Sequence, residues 1–190
     1  LGSTSENGVA AENFNYGTGA FISPDGRYVA FTNGSSNLVS GVSGGPQLYV
    51  KDLQTGAIQV ASSTSDGTVG NGYSSAGNMA FSSDGRYFVF QSSATNLIAS
   101  DTNNKTDVFI KDLHTGAIER LSERNDGSEI SDNQFTNLSR DARISNDGSN
   151  VTFVSWSDSL AEGDGGGADV FISSNPLQQK ISYNSDSAVQ

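Results

Sequence analysis

Short runs of alternating hydrophobic and polar residues cover most of the chain, separated by Asp-Gly, Ser-Gly and Thr-Gly breaks. Near the N-terminus these runs are GAFIS, RYVAFTN, QLYVKD and AIQVAS. In RYVAFTN, Val29 and Phe31 fall on one face and Tyr28 and Ala30 on the other, which is the period of a β-strand. No segment shows the period of an amphipathic helix. The pattern therefore predicts an all-β chain of short antiparallel strands.

The four runs recur along the sequence with a period of about 60 residues. SPDGRYVAF begins at Ser23, SSDGRYFVF at Ser82 and SNDGSNVTF at Ser145. Four-stranded units in series are typical of β-propeller blades. We therefore predict a single domain, 1–190, with three four-stranded propeller-like repeats over about 17–76, 77–139 and 140–190, preceded by a partial repeat over 1–16. Three blades are fewer than a closed ring usually has, so a larger ring, an open stack and half of a dimeric ring all remain open.

Tight turns and long loops are expected at opposite ends of the repeats. The SPDG and LQTG segments and their equivalents supply the tight turns. The longer segments then share the other end, at 34–46, 93–106 and 156–168 within repeats and at 63–76 and 123–140 between them. Because binding residues concentrate on loops held by a rigid scaffold, we expect function at this loop end.

Charge and composition restrict the partners. The formal net charge is −11, from 10 Lys and Arg against 21 Asp and Glu, so nucleic-acid binding is disfavoured and a cation or cationic partner is favoured. There is no cysteine. The sequence has no apolar run long enough for a membrane-spanning helix, so we expect no membrane insertion.

The clearest candidate for chemistry is the segment SDTNNKTD, residues 100–107. Asp101, Asn103 and the backbone carbonyl near Lys105 fall at alternate positions, and Asp107 would close the site. Calcium prefers six to eight such hard oxygen ligands in a flexible loop. The spacing lacks the central glycine and the distal glutamate of an EF-hand. The alternative is a series of Asx-turns without a metal.

The calcium interpretation predicts that the three repeats differ in calcium binding. The third repeat has a shortened version, with Asp164 and Asp169 around GGGA and Glu162 close by. The first repeat has Val42 and Gln47 where the carboxylates would stand. We therefore predict a calcium site in the second repeat, another in the third, and none in the first, whereas turn chemistry alone predicts no such difference.

A second acidic cluster lies at the loop end between the second and third repeats. Its members in DGSEISDN are Asp126, Glu129, Asp132 and Asn133, while the counterpart DGTVGNG is nearly uncharged. The functional interpretation is a further calcium site or an acidic lip for a basic ligand. The alternative is a solvated acidic loop.

Two further residues depart from the internal repeat. Aligning Phe21, Phe81 and Ile144 places Arg143 where the other repeats have Ala20 and Ala80, near the loop end. An arginine there could bind a carboxylate through its paired donors, or form a salt bridge with a nearby acid. Trp156 stands where the other repeats have Gly34 and Ser93, and it either contacts a ligand or fills a gap in the third repeat.

The DG-RYVAF strand followed by LYVKDLQTG resembles the TolB-type, or PD40, propeller repeat over nearly the whole chain. Acidity, the absence of cysteine and the DxNxxxD loop together resemble the peptide-binding domains of bacterial RTX adhesins. The second resemblance implies a calcium-dependent adhesion module involved in biofilm formation and secreted to the bacterial cell surface. Its implied partners are peptides or protein C-termini on host cells.

Catalysis has little support in the sequence. There is no G-x-S-x-G motif and no cysteine, and the single histidine, His114, lies in a tight turn. We expect a protein that is not an enzyme. Two alternative functions remain: a non-catalytic propeller scaffold in a larger envelope protein, and a domain that binds or degrades polysaccharides, for which glycans would be the ligands.

Overall fold

Antiparallel β-strands form the whole framework of the described chain. The computed structural model describes residues 3–12, 19–42, 45–130, 139–157, 159–161 and 167–178. Within these residues the strands are β1 (Ala20–Ile22), β2 (Tyr28–Asn33), β3 (Gln47–Asp52), β4 (Ile58–Val60), β5 (Ser74–Ser75), β6 (Tyr87–Ser92), β7 (Asp107–Asp112), β8 (Ile118–Arg120), β9 (Ser139–Ile144), β10 (Asn150–Ser155) and β11 (Asp169–Ser174).

The strands form three separate sheets, one for each predicted repeat. Their orders are β1-β2-β3-β4, β5-β6-β7-β8 and β11-β10-β9, and we refer to them as units one, two and three. The all-β, propeller-like architecture predicted from the repeat is therefore confirmed. A fourth strand of unit three would fall largely at 179–190, outside the described residues. The helical turns in the described chain are all too short to cross a membrane.

The strand order also places the loops as expected. Each tight turn joins neighbouring antiparallel strands, as in the hydrogen bonds from Gly26 N to the Ser23 carbonyl and from Gly56 N to the Asp52 carbonyl, both 2.8 Å. The first strand of unit two is shorter than its sequence suggests: only Ser74–Ser75 form a ladder, followed by a single bridge between Phe81 and Phe88. Met79, between them, has a φ of 65°, which interrupts an extended strand.

Units one and two each pack the same side of their sheet against the next unit, and we call that side, in all three units, the forward face. In unit one it carries Tyr28, whose ring stacks on Phe81 of unit two at 6.4 Å between centroids. Tyr28 also lies against Gly85, and Tyr87 of unit two lies against Gly148 of unit three in the same way. Glycine is required at these contacts because a Cβ on Gly85 would lie 2.4 Å from the Tyr28 ring.

Burial on the forward face changes abruptly at unit three. Val50 of unit one and Ile110 of unit two are 1% and 0% exposed, respectively. Their equivalent in unit three, Ile172, is 73% exposed, and its neighbour Val170 is 71% exposed. The forward face of unit three thus remains open to solvent, although its sequence retains the apolar residues of a packed face.

An ion pair that recurs with the repeat joins two neighbouring strands within unit one and, again, within unit two. The Arg27 and Arg86 guanidiniums donate to Asp52 and Asp112 at 2.7 and 3.0 Å, tying the β2 and β3 ends of one unit and the β6 and β7 ends of the other. Unit three has Ser149 and Ser174 in the equivalent places.

Two buried lysines anchor the segments that lead into the units. Lys51 Nζ donates to the carbonyls of Thr4 and Ser5 at 2.9 and 3.0 Å. Lys111 Nζ donates in the same way to Ser63 and Thr64, at 2.6 and 3.0 Å. These bonds satisfy a charge that would otherwise be buried without partners. The Lys111 bonds also hold the crossover from unit one to unit two in place. The corresponding crossover after unit two carries Glu129.

Candidate metal centre

Three carboxylates from separate segments of unit two converge at the loop end. Asp101 lies in the loop after β6, Asp107 is the first residue of β7, and Glu129 lies in the crossover after β8. One oxygen from each lies within 4.8 Å of the others, and this is the one such cluster found in the described part of the chain. Oxygens that bind a single Ca²⁺ at about 2.4 Å are at most about 4.8 Å apart, so the spacing fits a shared ion.

Hydrogen bonds from neighbouring residues position two of the three carboxylates. Asp107 Oδ1 accepts a hydrogen bond from Ser122 Oγ at 2.5 Å, and the same hydroxyl accepts from Val108 N at 3.0 Å. Glu129 is held across the crossover by Thr102, whose backbone N and Oγ1 donate to its two oxygens at 2.8 and 2.5 Å. The crossover and the loop after β6 are therefore joined through Glu129.

Asp101 is the unusual member of the cluster. It is 6% exposed, and neither of its carboxylate oxygens has a hydrogen-bond donor among the described residues. Burial, reinforced by the negative charge of Asp107, raises the pKa of Asp101 to about 6. An ionised carboxylate in this position carries a large desolvation cost unless a cation is bound.

The pKa values of the other two carboxyl groups shift in opposite directions. Burial raises the pKa of Asp107, although the hydrogen bond from Ser122 and the charge of Arg120 oppose that rise. Burial also acts on Glu129, but hydrogen bonds from Thr102 and Arg120 outweigh it and leave the pKa of Glu129 lowered. Arg120 Nη1 lies 2.8 Å from Glu129 Oε1, and the Arg120 side chain is fully buried. The cluster therefore contains one buried positive charge.

In unit one, the position equivalent to the carboxylate cluster is occupied by uncharged residues. Val60 occupies the register position of Arg120, since Val60 pairs with Tyr49 as Arg120 pairs with Phe109. Val69 forms the crossover bridge that Glu129 forms in unit two. Val42 stands where unit two has Asp101, and it is buried in an apolar cluster with Val60. Unit one thus fills with aliphatic side chains the space that unit two fills with charged ones.

Gln47 shows that the local scaffold itself is the same in both units. It begins β3 as Asp107 begins β7, and its Oε1 accepts from Ser62 Oγ at 2.7 Å. The scaffold therefore does not require the carboxylates. The predicted contrast in calcium binding between these two repeats stays a prediction.

The predicted loop ligands are brought together only in part. Asn103 lies beside the cluster, but its Oδ1 accepts from Lys105 N at 2.7 Å, as in an Asx-turn, and its Nδ2 lies 3.2 Å from the Ile130 carbonyl. Turn chemistry therefore shapes the loop that carries Asp101, and a calcium-binding role for the segment stays a prediction. Lys105 lines a small polar void beside Asp107, close to Ser139 and Ser155 of unit three.

The second acidic cluster does not form a separate site among the described residues. Glu129 joins Asp101 and Asp107, whereas Asp126 is exposed in its turn and accepts from Ser128 N at 2.9 Å. Asp132 and Asn133 lie outside the described residues. In unit three, Asp169 is the exposed first residue of β11, while Glu162 and Asp164 also fall outside the described residues, so the predicted third-repeat site stays a prediction.

Arg143 lies elsewhere than the sequence alignment suggested. It pairs with Thr152, the equivalent of Ala30, which pairs with Phe21 in unit one. Arg143 is therefore the counterpart of Phe21, and not of Ala20, and it lies near the tight-turn end of β9. The alignment was wrong by one residue in the first repeat because both Phe21 and Ile22 are apolar. The Arg143 side chain is exposed and forms no ion pair with a described residue.

Trp156 does stand directly after its strand, at the loop end. The guanidinium of Arg140 lies over its ring, 4.3 Å from the centroid, which is a cation–π contact. Trp156 is half-buried and Arg140 is exposed. Neither Arg140 nor Arg120 was predicted from the sequence as a functional residue. For Arg120 the signal was present, since the repeat has Val60 in its place, and a charged residue replacing a buried aliphatic one marks a changed environment.

Comparisons with known proteins concern the fold. No protein-family model matches the chain, and no curated protein matches it. It is similar to the structure of TolB from Acinetobacter baumannii, with 22% identity and a TM-score of 0.47 over 85% of this chain and 30% of that one. It is also similar to the β-propeller domain of the Trilobed protease from Pyrococcus furiosus, with 14% identity and a TM-score of 0.49 over 85% of this chain and 40% of that one.

The tricorn protease is a third similar structure, with 13% identity and a TM-score of 0.48 over 94% of this chain. The chain spans 16% of the length of that protein, and less than half of the other two.

Proposed function

We propose that this chain is a calcium-dependent binding module of a secreted bacterial surface adhesin. The observation that carries the proposal is the buried cluster of Asp101, Asp107 and Glu129, in which Asp101 has no donor. A bound Ca²⁺ would supply a positive charge in direct contact with the Asp101 carboxylate. Sites in extracellular modules bind calcium with dissociation constants of about 10⁻⁴ to 10⁻³ M, so extracellular calcium would keep such a site filled.

The same cluster is well placed to order the loop end. Calcium would link the loop after β6 to the crossover after β8 through Asp101 and Glu129. The loop in turn contacts unit three, where Ser139 N donates to the Thr106 carbonyl at 3.1 Å. Ser139 Oγ also donates to Ser155 Oγ at 3.1 Å, next to Arg140 and Trp156. Cation binding would therefore stabilise the base of the surface that carries Trp156.

The ligand we propose is a short peptide, or protein C-terminus, on the host cell surface. Arginine recognises a carboxylate through two parallel hydrogen bonds, and Arg143 is exposed on unit three. Trp156, stacked by Arg140, offers an aromatic surface for a neighbouring side chain. Both residues belong to unit three, so a ligand that uses both would lie along β9 and β10.

The first test is thermal unfolding in saturating calcium and in excess chelator. A ligand at about 100 times its dissociation constant stabilises the folded state by about 2.7 kcal/mol. For a chain of this size that corresponds to a rise in midpoint of roughly 5 to 10 °C. The Asp101→Asn and Asp107→Asn variants should lose most of this rise, because each removes a carboxylate ligand.

The matched control for this experiment is Asp126→Asn. It removes one negative charge from the same crossover, but Asp126 is exposed and lies outside the cluster. This variant should keep the full calcium response. Superimposable melting curves for the parent with calcium and with chelator would rule out the cation site.

Ligand binding is tested with a library of peptides bearing a free C-terminal carboxylate, the same peptides amidated, and a glycan panel. We expect binding of free-carboxylate peptides in calcium, and a loss of at least about tenfold in affinity for Arg143→Gln and Trp156→Ala. The control is His114→Gln, which installs the residue found at the equivalent turn of unit one, Gln54. Glycan binding that is indifferent to peptide ends would support a sugar-binding domain instead.

A propeller scaffold within a larger envelope protein is the second candidate. Its support is the open forward face of unit three, where Val170 and Ile172 are exposed at positions that are buried in the other units. A scaffold of this kind would fold independently of calcium and bind neither peptide nor glycan.

A further inference from the structure

Arg120 donates to a carboxylate of the candidate metal cluster, and it is not a possible metal ligand itself. Its guanidinium has only donors and cannot coordinate a metal. Its side chain is fully buried, Nη1 donates to Glu129, and Nε and Nη2 have no hydrogen-bond partner among the described residues. Val60 at the same register position shows that the sheet does not need an arginine there. The charge of Arg120 therefore requires an explanation beyond the fold.

The charges in and around the cluster can be summed. Asp101, Asp107 and Glu129 contribute three negative charges when ionised, and Arg120 contributes one positive charge. At the rim, Glu123 lies 3.8 Å from Arg120 Nε, and Arg124 contacts the Glu129 carbonyl at 2.8 Å, so one negative and one positive charge offset each other. The three carboxylates and Arg120 together thus carry two negative charges, which a single divalent cation neutralises.

We propose that Arg120 sets the charge preference of the cation site, making the buried cluster neutral with a divalent ion. This inference rests on the cation site of the proposed function. A trivalent ion would leave one positive charge buried, and a monovalent ion would leave one negative charge, and both states carry a desolvation cost. Arg120 acts on the ion through space and through Glu129, so it is a positioning and charge-setting residue.

The test is the ratio of the affinities for Tb³⁺ and Ca²⁺, measured by calorimetric titration. Arg120→Met removes the positive charge at similar side-chain length, and we expect the ratio to shift toward Tb³⁺ by at least about tenfold, since charges a few ångströms apart in a protein interior interact strongly. Arg120→Lys keeps the charge, and its ratio should stay within about threefold of the parent. A merely structural arginine would change both affinities together and leave the ratio constant.

Two controls keep the outcomes distinct. If Arg120→Met does not fold, Arg120→Gln retains a donor for Glu129 and is expected to show the same shift. Glu123→Gln changes a charge at the half-exposed rim and should leave the ratio within about threefold, because solvent screens exposed charges. If the parent binds neither ion, the cation site itself is wrong; if the parent binds both and the uncharged Arg120 variants keep its ratio, only the role of Arg120 is overturned.

Discussion

Replacing Ile110 by alanine is expected to lower the free energy of unfolding by about 2 to 5 kcal/mol, the range for a large aliphatic residue truncated in a core. Ile110 is fully buried on the forward face of unit two, within the main hydrophobic cluster. The loss of its side chain leaves a cavity between units two and three that the strand backbones are too constrained to close. Urea unfolding of the variant and the parent measures the difference.

The chain supplies its own control in Ile172→Ala. Ile110 and Ile172 stand at the same place in two copies of the tetrapeptide DVFI, but Ile172 is 73% exposed. Truncation at a surface position usually changes stability by less than about 0.5 kcal/mol. A cost for Ile172→Ala comparable to that for Ile110→Ala would mean that the forward face of unit three is covered in solution, for example by a second copy of the chain.

The same pair of tetrapeptides shows how far the sequence predicts the fold. Repeat period and strand alternation were enough to predict three sheets, their antiparallel order and the end that carries the loops, because these depend on local patterns. Burial of a whole face is different, since it depends on whether another sheet packs against it. DVFI is compatible with both environments, so no local pattern could separate Val108 from Val170.

The candidate site was predictable to a similar degree. Asp101 and Asp107 were visible because they lie in one short loop with ligand-like spacing. Glu129 was recognised as an acidic departure from the repeat, but its approach to Asp101 depends on the crossover folding back over the loop after β6. For Arg120 the repeat showed a charged residue in place of Val60, but its full burial and its contact with Glu129 depend on how the crossover folds.

In the absence of calcium, Asp101→Asn is expected to be more stable than the parent near neutral pH. The folded-state pKa of Asp101 is raised to about 6 from the ordinary 3.8 of an aspartate. The folded chain therefore binds this proton more tightly than the unfolded chain does. The resulting destabilisation is fully present above about pH 6 and disappears as the pH falls through 6 toward 4. A shift of about two pKa units corresponds to roughly 3 kcal/mol.

Calcium should make the parent more stable than Asp101→Asn, the reverse of the order expected without calcium. In saturating calcium at neutral pH the parent gains the binding free energy, whereas Asp101→Asn has lost a ligand and gains little. Below about pH 6 the calcium response of the parent should decline, because protons compete with the ion for the Asp101 carboxylate. Other acids titrate in both chains, including Asp52 with a pKa of about 2, so the difference between the chains is the quantity to follow.

Urea unfolding in chelator at about pH 8, 6 and 4.5 measures that difference directly. The variant should exceed the parent by up to about 3 kcal/mol at the highest pH, and the gap should narrow steadily as the pH falls. The asparagine amide is also buried at this position, which makes 3 kcal/mol an upper value. A parent that is more stable than Asp101→Asn in chelator at pH 8 would show that the carboxylate is already satisfied within the protein. The unpaired charge that motivates the cation site would then not exist.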